Sequence, residues 1–257
     1  MKFSKAISRT PGKNFADGIT TSDLGSPNYN LVLKQHDAYL AGLKQCGLEV
    51  TLLEPDLQYP DSTFVEDVAV LTPNCAILTH PGADSRKGEV AAMQPILEKF
   101  YDKFRSITAP GTLDGGDICE AGTHFFIGLS ERTNEEGARQ LADFLAEEGY
   151  TSSFVSIHGV SGILHLKSGI AYIGENTLVL IKALAERPEF KGYRIVLVDD
   201  DETYAANCVR INDYVIMPTG YPKFQAELTR LGYNPLPLDM SEYQKMDGGL
   251  SCLSLRF

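Results

Sequence analysis

Cys252 stands five residues from the end of the sequence, behind Asp247-Gly248-Gly249-Leu250-Ser251. That glycine-rich approach lets backbone bend sharply and come close to a ligand. The other cysteines, at 46, 75, 119 and 208, fall in a helix end or in apolar strands and read as buried filler. A thiol nucleophile needs an acid or base beside it. His165, in ILHLKS, is the candidate: strand alternation there would put it on one face with Ile163 and Lys167. Histidines 36, 80, 124 and 158 fall in a helix, two turns and a loop. With a carboxylate to orient the imidazole, these residues form the generalised nucleophile and base constellation. Asp61, Glu66, Asp67 and Asp114 could hold a cation, and a planar guanidinium matches carboxylates in forked, two-bond geometry. A divalent metal is the competing cation. No ligand set of settled spacing accompanies these residues, however, and a cysteine nucleophile needs no metal, so the organic cation is the reading favoured. Attack on a guanidinium carbon, a weak electrophile, calls for a soft nucleophile, carboxylates that fix charge, and an acid for the leaving amine. All three are available here.

The elements that must position these groups repeat along the chain. Apolar, β-rich runs pair as hairpins: VAVL with CAIL around Pro73-Asn74, DICE with HFFIGL around Gly122, ILHLKSGIAYI with TLVLI around Gly174-Glu175-Asn176, and NCVRI with YVIMP around Asn212-Asp213. SCLSLRF is a fifth run, and the starts, near residues 68, 118, 164, 207 and 251, recur every 43 to 50 residues or so. Most hairpins lead into a helical pattern. One opens with Thr133 and Glu136 in capping-box spacing, carries Ala138, Leu141, Ala142 and Leu145 on one face, and stops at Gly149. Another follows Ser26-Pro27, carries Val32, His36, Tyr39, Leu40 and Leu43, and ends at Gly47. Short β-like runs follow: VTLLEP, RSITAP, SFVSI, RIVLV and PLPLD. The unit is hairpin, helix, strand, and FSKAISR is the one unassigned run able to complete the fifth hairpin. The termini are therefore expected to meet and the units to close into a ring.

In such a ring the residues at the start of each first strand are equivalent: Glu66-Asp67, Asp114 with Asp117, His165, Asn207 and Cys252. Stability does not ask for that collection, because carboxylates buried together are costly unless a cation neutralises them. Composition narrows the function classes. A net charge of −11 with no basic block argues against nucleic acid or an anionic membrane as partner. No apolar run of membrane-spanning length and no secretory signal pattern is seen, so a cytoplasmic protein is expected. Five cysteines without a CxxC pair make disulfides and a structural zinc poor expectations.

The segments YPDSTFVEDVAV, HPGADSRKGEV, APGTLDGGDI, GLSERTNEEGARQLA, ILHLKSGIAY, YAANCV and MDGGLSCLSLRF, in that order, resemble those of the dimethylarginine dimethylaminohydrolases. The resemblance runs from about residue 17 to the C-terminus. It implies an α/β fold of the pentein type, a five-fold pseudosymmetric propeller of ββαβ modules, with residues 1–257 as one catalytic domain. It also implies cofactor-free hydrolysis of N-methylated arginines to citrulline and a methylamine through a covalent cysteine intermediate. By motif, Cys252 matches the nucleophile, His165 the acid and base, and Asp114 the carboxylate orienting it, a position where some members carry Glu. Asp61, Glu66 and Asp67 match guanidinium contacts, and Arg86 with Arg132 match the pair that takes the α-carboxylate. Ile19 and Met246 match backbone-carbonyl contacts, and Phe64 and Asp247 lie in the same substrate-binding segments. The small-molecule substrate is the partner implied, with a homodimer left open. Arginine or agmatine deiminases and amidinotransferases share this chemistry, and an arginine-type binding protein on the same scaffold is the non-enzymatic alternative.

Overall fold

Hairpins this short need turn residues that accept positive φ. Gly122 (φ 74°), Gly174 (83°), Glu175 (52°), Asn176 (54°) and Asn212 (53°) provide them at three of the four turns anticipated above. The computed structural model describes residues 2–257.

The chain opens with β1 (Lys5–Arg9), α1 (Tyr29–Gln45) and β2 (Glu49–Leu53). A second group is β3 (Ala69–Leu71), β4 (Ala76–Leu78), α2 (Glu89–Leu97) and β5 (Phe104–Ser106). The third is β6 (Ile118–Ala121), β7 (His124–Leu129), α3 (Glu135–Glu147) and β8 (Thr151–Ser156). The fourth has β9 (Ile170–Tyr172), β10 (Thr177–Ile181) and β11 (Arg194–Val198), and its crossover carries two 3₁₀ turns in place of an α-helix. The fifth is β12 (Val209–Ile211), β13 (Tyr214–Pro218), α4 (Pro222–Arg230) and β14 (Asn234–Leu238), after which come the short α5 (Ser241–Gln244) and β15 (Leu255–Arg256).

These strands form five three-stranded sheets of one design. The middle strand runs antiparallel to the first and parallel to the third, as β7 does between β6 and β8. A parallel neighbour cannot be reached by a tight turn, which is why each unit needs a crossover. The last sheet is completed by the start of the chain: β15 pairs antiparallel with β1, and the amides of Ser4 and Lys5 donate to the Phe257 carbonyl at 2.9 and 2.8 Å. The architecture is the α/β ring of five repeated modules that the spacing led us to expect.

Three local readings differ from what is observed; His124, placed outside the strands, is the first residue of β7 and pairs with Ala121. Thr133 does not cap α3. Asn134 does, its Oδ1 accepting from the Gly137 amide at 2.8 Å, because the Thr133 hydroxyl is turned inward to Asp117. His165 does not lie in a strand either; it is an extended residue leading into a 3₁₀ turn at Leu166–Ser168. The same device precedes every first strand, with turns at Val65–Val68, Gly115–Asp117, Thr203–Ala206 and Ser251–Leu253. The turns, rather than the strands, bring chemistry to one end of the ring.

Candidate active site

The Cys252 turn is anchored by every element around it. Asn207 Oδ1 accepts from the Ser251 amide at 3.0 Å, and its Nδ2 donates to Ser251 Oγ at 3.1 Å and to the Lys167 carbonyl at 2.9 Å. Ser8 Oγ donates to the Leu253 carbonyl at 2.8 Å, and Tyr204 Oη to that of Gly248 at 2.7 Å. A Cβ on Gly249 would come within 2.5 Å of the Asn207 amide group, so the glycine there is a packing requirement. The four other cysteines are buried, whereas Cys252 is only partly so. Its thiol is nonetheless pushed up to about 12, first by desolvation and then by Glu66 and Asp67. From the sequence alone the carboxylates would have been named first; burial is the larger cause.

His165 and Asp114 meet as predicted, Nε2 to Oδ2 at 3.0 Å, and the second Asp114 oxygen accepts from the Gly82 amide at 2.9 Å. Aspartate thus reaches the imidazole without the extra methylene of a glutamate. Burial alone would depress His165, but Asp67, the Asp114 hydrogen bond and Asp117 outweigh it and lift the imidazole to about 9. At neutral pH His165 is therefore an imidazolium. Gly116 belongs to the same arrangement, since a Cβ there would lie 2.8 Å from both the His165 ring and Asp67 Oδ1.

The acidic residues do not form an unpartnered ring. Asp67 accepts from the Gly116 amide at 2.8 Å and is ion-paired with Arg86. Burial opposes its ionisation, yet Arg86 and His165 hold its carboxyl below the usual range. Glu66 Oε1 takes Lys167 Nζ at 2.6 Å and Arg256 Nη2 at 2.9 Å, while its Oε2 is buried without a hydrogen-bond partner. Both oxygens of Asp61 accept from the Ile19 amide at 3.2 Å, and burial raises its carboxyl despite the opposing pull of Arg86. Counting Asp117 and Glu89, six carboxylates surround the four cations Arg86, Lys167, Arg256 and protonated His165. The excess negative charge suits one incoming cation. Asp67, Asp114 and His165 also bring possible metal-ligand atoms within 4.8 Å of one another. The two carboxylates already accept from Arg86, from the Gly116 and Gly82 amides and from His165, so N–H donors occupy the positions a metal would need.

Arg86 departs most from its sequence-based reading as a free carboxylate receptor. It is buried, its Nε and Nη2 bond Glu89 at 2.9 and 2.7 Å, Nη2 also reaches the Asp61 and Phe64 carbonyls, and Nη1 meets Asp67. Glu89 was missed, although its i, i+3 spacing from Arg86 is readable. Arg86→Ala should therefore lower stability by about 3–5 kcal/mol, because Asp67 and Glu89 are left as uncompensated buried charges. Such charges have raised folded-state pKa values, so the deficit should shrink as pH falls and they protonate. Urea unfolding at pH 5 and pH 8 checks this; an unchanged midpoint at both would refute it.

Arg132, by contrast, is partly exposed and its guanidinium has no ion-pair partner among the described residues. Phe64 is buried against Phe15 and Tyr243, and Met246 packs in the same cluster, so their side chains act as supporting wall. Asp247 adopts φ 54° and its Oδ2 accepts from the Thr21 amide at 2.6 Å and from the Thr20 and Thr21 hydroxyls. The segment carrying Ile19, whose side chain is exposed, is thereby tied across to the Cys252 approach.

Comparison with known proteins gives concordant results. A family described as eukaryotic N,N dimethylarginine dimethylhydrolase matches residues 23–202. The chain is 46% identical over 256 residues, 99% of its length and 100% of the relative's, to an N(G),N(G)-dimethylarginine dimethylaminohydrolase of Pseudomonas aeruginosa. It is 32% identical over 257 residues to the protein of the same name from Streptomyces coelicolor, covering 100% of this chain and 98% of that one. Among solved structures, a cysteine-to-serine variant of the Pseudomonas protein complexed with citrulline superposes with a TM-score of 0.97 at 45% identity over 100% of both chains. The N-terminal domain of a cyanobacterial arginine dihydrolase gives 0.87 at 16% identity, covering 98% and 97%, a likeness of fold alone. No helix of the described residues is long and apolar enough to cross a membrane.

Proposed function

The chain belongs to the dimethylarginine dimethylaminohydrolase family, hydrolases of the guanidino group, and from that premise we propose how its own residues convert dimethylarginine to citrulline. The observation that carries the reading is that Asp67 acts on both the Cys252 thiol and the imidazole of the buried His165–Asp114 pair, which places the two within one carboxylate's field. The substrate guanidinium replaces water among Asp61, Glu66 and Asp67, Arg132 takes the α-carboxylate, and the one Nη1 hydrogen of Arg86 not given to Asp67 adds to that contact. Ile19 and Met246 offer backbone carbonyls. As the cation enters, Cys252 gives up its proton to solvent and its sulfur bonds the guanidinium carbon. His165 protonates the departing dimethylamine as the C–N bond breaks, which leaves an S-alkylthiouronium on Cys252. The now neutral imidazole takes a proton from water, the hydroxide adds to the same carbon, and as the C–S bond breaks the hydroxyl proton of the tetrahedral adduct passes to solvent, which releases neutral citrulline and the Cys252 thiolate. The Pseudomonas relative's complex with citrulline supports this product.

The test is a citrulline assay with three substrates. Asymmetric dimethylarginine and monomethylarginine should react, and the symmetric isomer should fall by about 100-fold or more in kcat/KM, since its methyl displaces a hydrogen bond to the carboxylates. Equal rates for the two dimethyl isomers would refute the pocket, and faster turnover of unmethylated arginine would favour a deiminase.

A further inference from the structure

Asp117 is buried and has no part in the steps above, yet it lies where three of the proposed functional groups converge. Its Oδ1 accepts from the Leu166 amide at 2.9 Å, the residue after His165. Its Oδ2 accepts from Ser130 Oγ and Thr133 Oγ1, each at 2.7 Å. Each of those hydroxyls is committed in the other direction as well. Ser130 Oγ accepts from the amides of Arg132 and Thr133 at 3.0 and 3.1 Å, which shapes the loop that presents Arg132. Thr133 Oγ1 accepts from the Asp114 amide at 3.1 Å. Both hydroxyl protons therefore have to point at Asp117. All three of its partners donate, the pattern an ionised carboxylate satisfies and a protonated one does not.

We propose that Asp117 is the positioning residue of this site, a single buried carboxylate that fixes the His165 turn, the Asp114 backbone and the Arg132 loop relative to one another. The inference rests on the roles given above to His165 and Arg132. The charge matters as well as the geometry. The charged groups that act on His165 are Asp67, Asp114 and Asp117; Arg86 reaches it through Asp67, and Lys167 follows it on the same turn, bonded to Glu66. Asp114 supplies the hydrogen bond, Asp67 shares its charge with Arg86, and Asp117 is the remaining carboxylate, with no basic side chain bonded to it; burial raises its carboxyl, and the His165 imidazolium with the three donated hydrogen bonds pulls the other way, toward the charged form.

Asp117→Asn tests this, because the amide oxygen can still accept from Leu166 while the negative charge is lost. A raised imidazole pKa falls when an anion is removed, so the His165 titration midpoint, followed by NMR of histidine-labelled protein, should drop by about one unit. The high-pH limb of kcat, where the acid form of His165 is lost, should move down by the same amount. Ser130→Ala cuts only the tether to the Arg132 loop and should raise KM by about fivefold or more while lowering kcat less. A uniform loss of activity in Asp117→Asn with the His165 midpoint unmoved would overturn the proposal, as would Ser130→Ala that lowers kcat alone. The titration needs no turnover, so a wild-type protein that releases no citrulline would count against the proposed reaction and leave this measurement standing.

Discussion

Cys252→Ser protein should release no citrulline, and His165→Gly protein should stop halfway, with the fragment of an activated analogue bonded to sulfur. The first outcome follows from the environment of residue 252. A site that already resists a thiolate would resist far more strongly the alkoxide a serine must become, so turnover should fall by about 10⁴-fold or more. The second follows from the two uses of one imidazole. His165 is the acid of the first half and the base of the second, and a good leaving group dispenses with the acid only. With an analogue whose leaving group needs no protonation, such as an S-alkylthiocitrulline, His165→Gly should form the thiouronium and fail to hydrolyse it. Intact-protein mass spectrometry then shows one added substrate fragment, and peptide mapping assigns it to Cys252. An adduct on Cys46, Cys75, Cys119 or Cys208, or undiminished turnover by His165→Gly, would defeat the scheme.

The second large effect concerns when Cys252 ionises. In the free enzyme burial, Glu66 and Asp67 together put the thiol at about 12, above the roughly 8.5 of a free cysteine. Ultraviolet thiolate absorbance, corrected with Cys252→Ser, should therefore stay low through pH 9. A bound guanidinium cancels the carboxylate field and adds a positive charge beside the sulfur, and both effects favour the anion. With a cationic, unreactive arginine analogue the absorbance should rise several pH units earlier, and with an uncharged isostere it should not. Substrate then activates its own attacker, while His165, at about 9, stays protonated for its first task. A free-enzyme thiolate titrating below about pH 6 would mean a resting thiolate and imidazolium pair and would exclude this order of events.

Much of this could be read from the chain because the repeats are written in local chemistry. Gly122, Gly174 and Asn212 mark hairpin turns by their own backbone preference, and the helix stripe of Leu141 and Leu145 is indeed buried. Ring closure followed from one unpaired run at each end. What stayed hidden depends on partners far along the sequence. The hydroxyl of Thr133 looks like a cap until Asp117, sixteen residues earlier, claims it. His165 looks like a strand residue because ILHLKS alternates, and only packing against the Asp114–Asp117 segment makes the chain turn there. Arg86 is matched by motif to a substrate carboxylate, and its burial is settled by Asp67, Glu89 and two carbonyls together.

The pairing of β1 with β15 also orders the birth of the enzyme. β1 can pair with β2 early in synthesis, but its other edge waits for residues more than 240 positions later. Contacts so distant in sequence form late and slowly, and an edge left open meanwhile is a template for the wrong strand. Cys252 arrives only three residues ahead of the strand that closes the ring. A chain interrupted before that point has neither a finished sheet nor a nucleophile, so closure of the ring and arrival of the thiol are one event at this site.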